Sequence, residues 1–462
     1  MSASIDPRRV RLRNDRLSAP GDYVLYWMQQ SQRADWNHAL EFAAVRANAL
    51  GKPLVVGFGL TDTYPDANLR HYSFMLEGLR ETAAAIEARG AKFVLEIGDP
   101  AEIALRLSRR ACEVVIDRGY LRPGKEWRVR FVAAARCLVH EVEADVIVPV
   151  GVASDKREFA ARTLRPKLLR QVADFLHPTR VVAVENQSSK IRLRSEDLTD
   201  IPALLGALKI DRTVPPVTSL FAGGTSHAKK IFRAFCRERF RTYAENRNQP
   251  QTDDVSQMSK YLHFGQISPV WLALEARQFE GEAGDSVRSF ADELLVRREL
   301  SMNWCEHTPD YDRPSALPAW SQKTLAEHAH DPRPHLYTCA ELESATTHDP
   351  YWNAAMREMR STGYMHNHMR MYWGKKIIEW TRSPEEAHAT ALAINNKYFL
   401  DGRDANSFAN VAWLFGQHDR PWFERPIFGK VRYMNAAGLE RKCDIKAYVA
   451  KVDALEARMT AP

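Results

Sequence analysis

Hydrophobic and polar positions divide this chain into two regimes with a break between them. From Asp22 to about Val150, short β-branched runs alternate with longer amphipathic stretches. Tyr23 to Trp27, Pro53 to Phe58, Lys92 to Glu96, Glu113 to Ile116 and Asp145 to Val148 read as strands, with helices such as Trp36 to Leu50 and Leu69 to Arg89 between them. This βαβ series predicts a parallel sheet covered by helices on both faces, with a ligand crevice at the carboxyl ends of the strands. From His227 onward helical periodicity takes over, and the second half is expected to be nearly all α. In between, Pro178, Pro202, Pro215, Pro216 and the run Ala222-Gly223-Gly224-Thr225-Ser226 predict a connector crossing the surface. The expected division is an α/β domain over 1–175, a linker over 176–227 and a helical domain over 228–462, with no internal repeat.

Composition narrows the class without naming it. The 462 residues, 45% hydrophobic and 27% charged, suit two or three domains with ample cores. No run of about 18 uncharged apolar residues is present, and the start Met-Ser-Ala-Ser-Ile-Asp-Pro-Arg-Arg lacks the apolar core of a signal peptide, so no membrane span and a cytoplasmic location are expected. The six cysteines are scattered without a C-x-x-C pair, which argues for reduced thiols and against a disulfide framework or zinc site. A formal charge of +7 permits a polyanionic partner but also suits many soluble enzymes. Neither a G-x-G-x-x-G nor a Walker loop accompanies the strands, which disfavours NAD-like and P-loop binding.

Four segments of the second half carry the chemistry. Residues 363 to 380 read Gly-Tyr-Met-His-Asn-His-Met-Arg-Met-Tyr-Trp-Gly-Lys-Lys-Ile-Ile-Glu-Trp. On a helix, Asn367, Arg370, Gly374 and Ile377 share one stripe, with Trp373 and Trp380 on its edge. A guanidinium beside indoles needs a counter-charge, either a carboxylate or an anionic cofactor, although a tryptophan-rich core helix gives the same pattern. Residues 256 to 269 place Ser256 and Ser259 ahead of an apolar run, where they suit a phosphate or plain helix capping. In Asp-Glu-Leu-Leu-Val-Arg-Arg-Glu, residues 292 to 299, Glu293 and Arg297 have the spacing of a solvated i,i+4 pair. Residues 395 to 415 offer carboxylates and amides before an aromatic helix; Asp401 is a candidate counter-charge for Arg370, or only part of an Asp-Gly turn.

Taken in order, S-x-x-S-x-Y-L-x-F-G, E-L-L-V-R-R-E, M-H-N-x-x-R-M and L-D-G-R-D-x-N resemble the photolyase and cryptochrome family. Met-Arg-Met-Tyr-Trp-Gly-Lys-Lys and Glu-Arg-Pro-Ile-Phe-Gly-Lys-Val-Arg-Tyr-Met are similar to the class II cyclobutane pyrimidine dimer photolyases. The resemblance spans almost the whole chain. It implies a Rossmann-like α/β domain followed by an all-α domain holding FAD, whose working state is the fully reduced anion. By motif position, Tyr243, Ser256, Gln257, Met258, Ser259 and Arg297 would surround the diphosphate and ribityl, while Asn367, Arg370, Asp401 and Asn395 would lie around the ring. Asn395 or Asn406 would face its N5, and Trp352, Trp373 and Trp380 would relay electrons to it under light. A deazaflavin antenna in the first domain is also implied, without residues that motif position can assign.

The implied substrate is UV-damaged DNA containing pyrimidine dimers, repaired by a monomer. A dimer must leave the stack to reach a buried flavin, and photolyases are themselves among the standard examples of base flipping. Glu293 would contact the dimer as a protonated donor in an apolar pocket, with Met371 and Trp413 as the floor and wall for the flipped bases. Val296 stands where class I relatives carry a tryptophan against the dimer. Residues 418 to 446 mix cations with Trp422, Phe428 and Tyr433; Arg420, Trp422 and Arg432 would fill the vacated space, and Arg247 and Asn248 would touch the lesion or its flanks. A cryptochrome-like blue-light photoreceptor is the alternative reading. A cofactor-free DNA-binding module would leave Asn367, Arg370 and Asp401 unexplained.

Overall fold

The computed structural model describes residues 5–460. Six strands form one sheet: β1 (Val10–Leu12), β2 (Tyr23–Trp27), β3 (Leu54–Leu60), β4 (Lys92–Ile97), β5 (Ala111–Asp117) and β6 (Leu138–Val142). Their spatial order is β1-β6-β5-β2-β3-β4; β1 runs antiparallel to β6 and every other pairing is parallel. Every residue of β2, β3 and β5 is buried, as expected of strands covered on both faces. Helices His38–Ala49 and Leu69–Ala88 pack one face, and Pro100–Ser108 and Arg122–Ala134 pack the other. Strand order reverses at β2, between β5 and β3, which opens the crevice there.

The strand expected over Asp145 to Val148 is not one. The sixth strand lies earlier, at Leu138–Val142, where His140 and Glu141 interrupt the apolar pattern. Those polar groups are tolerated because Glu141 pairs with Arg13 at 2.8 Å and Arg128 at 3.4 Å. Residues 145–148 give their backbone groups to the helical domain instead. The amides of Ile147 and Val148 donate to Glu299 Oε1 at 2.5 and 3.3 Å, and Arg298 Nη1 donates to the Asp145 carbonyl at 2.7 Å. Such interdomain pairing satisfies buried groups as well as a ladder does.

The connector is more structured than its prolines suggest. It contains a helix, Ile201–Ala207, and buries Leu198, Ile201, Leu204 and Leu208 against the helices of the sheet domain. Glu196 N donates to the Leu95 carbonyl at 2.8 Å and Leu95 N to Ser195 Oγ at 3.0 Å, so the connector covers the open edge of β4. Helix Ala161–Phe175, placed with the first domain on sequence grounds, packs Leu164, Leu168 and Phe175 into the core that holds Phe232, Phe235 and Phe240 of the helical half.

The helical half centres on Asn367–Trp380, flanked by Pro350–Thr362, Pro384–Tyr398 and Ala405–Leu414. Gly374 is required there, because a Cβ would stand 2.2 Å from Leu414 Cδ1. The two halves are locked through Arg33, which donates to Gly265 O at 2.9 Å and Ala144 O at 2.5 Å. Gly265 has φ of 64°, and any Cβ would fall 2.0 Å from the Gln30 carbonyl oxygen. Among the described residues all six cysteines are free thiols, five of them buried, and no helix is long and apolar enough to cross a membrane.

Candidate functional site

A cavity of about 410 Å³ opens in the helical half. Its back wall comes from the first turn of Asn367–Trp380, which presents Asn367, His368, Arg370 and Met371. The lower part of the expected stripe turns elsewhere: Gly374 meets Leu414 and Ile377 is fully buried in the core. Arg370 is fixed on three sides. Its Nη2 donates to both oxygens of Asp401 at 3.0 Å, its Nε donates to Met365 O at 3.0 Å, and its guanidinium lies 3.9 Å from the centre of the Phe399 ring. The partly buried cation is thereby paired, as the desolvation cost demands.

A second wall carries Ser256, Gln257, Met258 and Ser259. Gln257 holds a left-handed backbone, with φ of 59°. Lys260 stabilises it: the buried ammonium donates to Gln257 O at 3.1 Å and to Gln257 Oε1 at 2.9 Å. Burial pushes that lysine down to about 7. The hydroxyls and loop amides, with Arg297 opposite, form a donor set suited to a diphosphate.

A third wall, from Phe290 to Ser301, departs from the expected helix. Asp292–Arg297 is a π-helical turn, a feature frequent at functional sites, and it alters the register of the side chains. Glu293 does not pair with Arg297. It pairs with Arg247, which also donates to Ser289 Oγ at 2.8 Å, while Arg297 Nε reaches Asp292 at 3.4 Å. Nor does Glu293 sit in an apolar pocket: its side chain is 36% exposed at the cavity mouth, beside Asn248. The apolar pocket expected around Glu293 is thus replaced by a contact with Arg247 at the cavity mouth.

The fourth wall is Ala405–Leu414, contributing Asn406, Asn410 and Trp413. Asn406 Oδ1 accepts from Ser301 Oγ at 3.0 Å. Asn395 does not reach the cavity; its amide nitrogen is spent on Asn396 Oδ1 at 3.0 Å and Ser407 Oγ at 2.6 Å, so of the two asparagines only Asn406 lines the space. Tyr243 and Arg432 complete the lining. Sequence reasoning missed Tyr364, Asn410 and the supporting Lys260, although the apolar surroundings of Lys260 in Met-Ser-Lys-Tyr-Leu offered a hint.

Behind the wall, the three expected tryptophans come together. Trp352 Nε1 donates to the Trp373 carbonyl at 2.9 Å, and the Trp352 and Trp380 rings lie 5.6 Å apart at 64°. All three are at most 2% exposed. At the surface, the guanidinium groups of Arg432 and Arg420 lie 5.2 and 5.6 Å from the Trp422 ring. Phe423, which the sequence reading passed over, is 89% exposed beside it, whereas Phe428 is a core residue packed 5.1 Å from the Tyr433 ring.

A second cavity lies at the carboxyl ends of the strands, lined by Gln29 and Gln30 after β2, by Gly59 to Thr61 at β3 and by Gly119 to Leu121 after β5. Aromatic side chains of Tyr64, Tyr72, Trp127 and Phe264 surround it, and Asp404 lines both cavities.

A nucleotide-type sheet domain docked on a helical domain, with an arginine, a serine loop and amides around one cavity, defines a two-domain flavoprotein. Residues 24–183 match the family model for DNA photolyase, and 290–458 match that for the FAD binding domain of DNA photolyase. The chain is 48% identical to the deoxyribodipyrimidine photo-lyase of Methanothermobacter thermautotrophicus, over 98% of this chain and 99% of the relative. It is 40% identical to that of Oryza sativa, over 97% and 90%, and 38% identical to that of Potorous tridactylus, over 96% and 84%. Among solved structures, a class III photolyase from Agrobacterium tumefaciens superposes with TM-score 0.74 at 19% identity, covering 96% of this chain and 91% of the other. A cryptochrome from Synechocystis does so with 0.68 at 15%, covering 95% and 88%.

The chain belongs to the DNA photolyase family. It is an FAD-binding enzyme of light-dependent DNA repair, of the deoxyribodipyrimidine photo-lyase type, and its substrate is UV-damaged DNA. The lining has the chemistry such a cofactor needs: Ser256, Ser259 and Arg297 bring hydrogen-bond donors that would suit a diphosphate, and Arg370 brings a positive charge that would suit the ring. His368 lines the same cavity with its Nε2 unpartnered among the described residues.

Proposed function

We propose that the chain is a class II photolyase that takes a cyclobutane pyrimidine dimer out of the duplex into the cavity mouth and splits it. The observation that carries this reading is the Arg370–Asp401 pair on the cavity wall, with Nη1 free of those contacts. A fixed cation there favours a fully reduced, anionic ring. When bound, FAD supplies the photochemistry: one electron to the lesion, later returned.

The chain's own groups do the rest. Arg432 and Arg420 neutralise phosphates, and Trp422 with Phe423 occupies the space that the extruded bases leave. Met371 and Trp413 line the mouth as an apolar surface for the bases, which excludes water from the reacting ring. Glu293 leaves Arg247 and, as a protonated donor, hydrogen-bonds a carbonyl of the lesion, and Arg247 and Asn248 turn to the flanking backbone. Trp352, Trp373 and Trp380 return an oxidised cofactor to its working state under light. The four motifs, Val296 among them, support the class II assignment.

The crevice at the carboxyl ends of the strands is the proposed antenna site, its aromatic lining suited to a planar deazaflavin. We place the enzyme in the cytoplasm, as a monomer with access to the chromosome.

Illumination of purified protein with reductant and a dimer-containing oligonucleotide tests the reading. Thymine absorbance returns in light and not in darkness; no return with FAD-loaded protein overturns it.

A further inference from the structure

Lys260 is a buried cation of a different kind from Arg370. It is 1% exposed, and its ammonium lies 3.8 Å from the centre of the Phe221 ring in the connector and 5.3 Å from that of Tyr364 on the cavity wall. Arg370 has Asp401 as its partner, whereas among the described residues no carboxylate pairs with Lys260. Its hydrogen bonds go instead to the loop just ahead of it, to Gln257 O at 3.1 Å and Gln257 Oε1 at 2.9 Å. A buried charge without a counter-ion is costly, so its place calls for a reason.

The loop supplies one. Gln257 has φ of 59°, a backbone conformation that residues other than glycine adopt at a cost. The bond from Lys260 to its carbonyl fixes the peptide between Gln257 and Met258, and in a trans peptide the N–H stands opposite the C=O. The Met258 N–H is therefore directed away from the ammonium, and among the described residues no protein group accepts from it. Met258 lines the cavity, as do Ser256 and Ser259. The loop thus offers donors on one side and carries a cation on the other. We infer that Lys260 is a positioning residue for the cofactor's diphosphate: its ammonium keeps the Gln257–Met258 peptide turned for binding and supplies, from behind the loop, positive charge to the phosphates. This rests on the reading of residues 256–259 as the diphosphate loop.

The dependence runs both ways. Burial lowers Lys260 to about 7, with Asp401 favouring the charged form and Arg370 opposing it. The other groups facing it are Phe221 and Gln257, which do not titrate, and Tyr261 and Tyr364, whose phenols burial pushes up. A doubly charged diphosphate beside the loop favours the ammonium and raises its pKa. Above about pH 7, binding of FAD therefore takes up a proton, and affinity falls by up to about tenfold per pH unit as pH rises. Well below that value the lysine is already charged, and no proton is taken up.

The test is FAD binding by the full chain freed of flavin, followed by flavin fluorescence and by calorimetry in two buffers of different ionisation enthalpy. Wild type is compared with Lys260→Met, with Lys260→Met plus Gln257→Gly, and with Ser256→Ala plus Ser259→Ala. Wild type is expected to take up most of one proton per FAD at about pH 8 and almost none at about pH 5.5. Lys260→Met, which keeps the length and loses the charge, binds FAD roughly 10- to 100-fold more weakly at about pH 6, with no proton uptake from this group. Its unfolding temperature without FAD is at least that of wild type, because an apolar side chain replaces a buried cation. Glycine adopts a positive φ freely, so adding Gln257→Gly recovers roughly threefold in affinity and leaves proton uptake absent. Wild-type affinity in Lys260→Met, or proton uptake that survives it, overturns the inference. So does a lowered unfolding temperature with no recovery from the glycine, the mark of a plain packing role. Wild-type affinity in the double serine variant overturns the diphosphate reading of the loop itself.

Discussion

Arg370 and Asp401, 31 positions apart, meet through a single nitrogen, Nη2, which lies 3.0 Å from each carboxylate oxygen. The side chains are 17% and 10% exposed, so neither charge can rely on water. Removing one partner leaves the other buried and alone, a loss of about 3 kcal/mol. Asp401→Ala is therefore expected to lower stability by that amount without cofactor. It should also weaken FAD retention, read by fluorescence of released flavin on dialysis. Arg370→Ala should lose FAD more completely, because the ring's positive neighbour goes with it.

Glu299 gives a pH dependence of known sign. Burial pushes its carboxyl up to about 8, against the opposing hydrogen bonds from Ile147 and Val148 and the nearby Arg298 and Arg9. A carboxyl raised in the folded state binds its proton there at pH values where the unfolded chain has released it. Stability is thus greatest on the acid side and declines as pH rises from the unfolded value towards about 8, by at most ~1.4 kcal/mol per pH unit. Glu299→Gln should remove this slope. Urea titrations of both proteins between these limits are the check, and parallel curves would contradict the assignment.

Gly374→Ala sets two effects against each other. Alanine improves helix propensity by about 1 kcal/mol. The added methyl would stand 2.2 Å from Leu414 Cδ1 and 2.6 Å from Cδ2, and overpacking of this kind costs about 1–3 kcal/mol. The clash should win, with a lower unfolding temperature and a disturbed Trp413 environment in near-ultraviolet circular dichroism.

Phe423 and Arg420 should separate two kinds of contact with DNA. Phe423 packs on little, so Phe423→Ala leaves stability unchanged while costing about 1–3 kcal/mol in affinity for a dimer-containing duplex. Arg420→Ala should reduce the dependence of log K on log salt by about 1. Fluorescence anisotropy across a salt series distinguishes them.

What the chain discloses locally and what it withholds follow a physical divide. Helix Asn367–Trp380 is legible because its residues are adjacent, and the demand for a counter-charge leads from Arg370 to Asp401. The sheet is legible where strands are uniformly apolar, as in β2 and β5. It fails at β6, whose His140 and Glu141 are acceptable only because partners arrive from elsewhere in the sheet domain. The partner of Glu293 is not legible for a related reason: Arg247 lies 46 positions earlier, and the π-helical turn that places the carboxyl group has no sequence period of its own. Asn395 and Asn406 have the same side-chain chemistry, and only the structure shows that the Asn395 amide is taken up by Asn396 and Ser407 while Asn406 lines the cavity.

The contact of Gly265 with the Gln30 carbonyl has a consequence for how the molecule melts. Two bodies joined by side chains can slide or part; here one main chain rests on another, and Arg33 clamps the seam. The sheet half and the helical half should denature as a single cooperative event, with calorimetric and van't Hoff enthalpies in agreement.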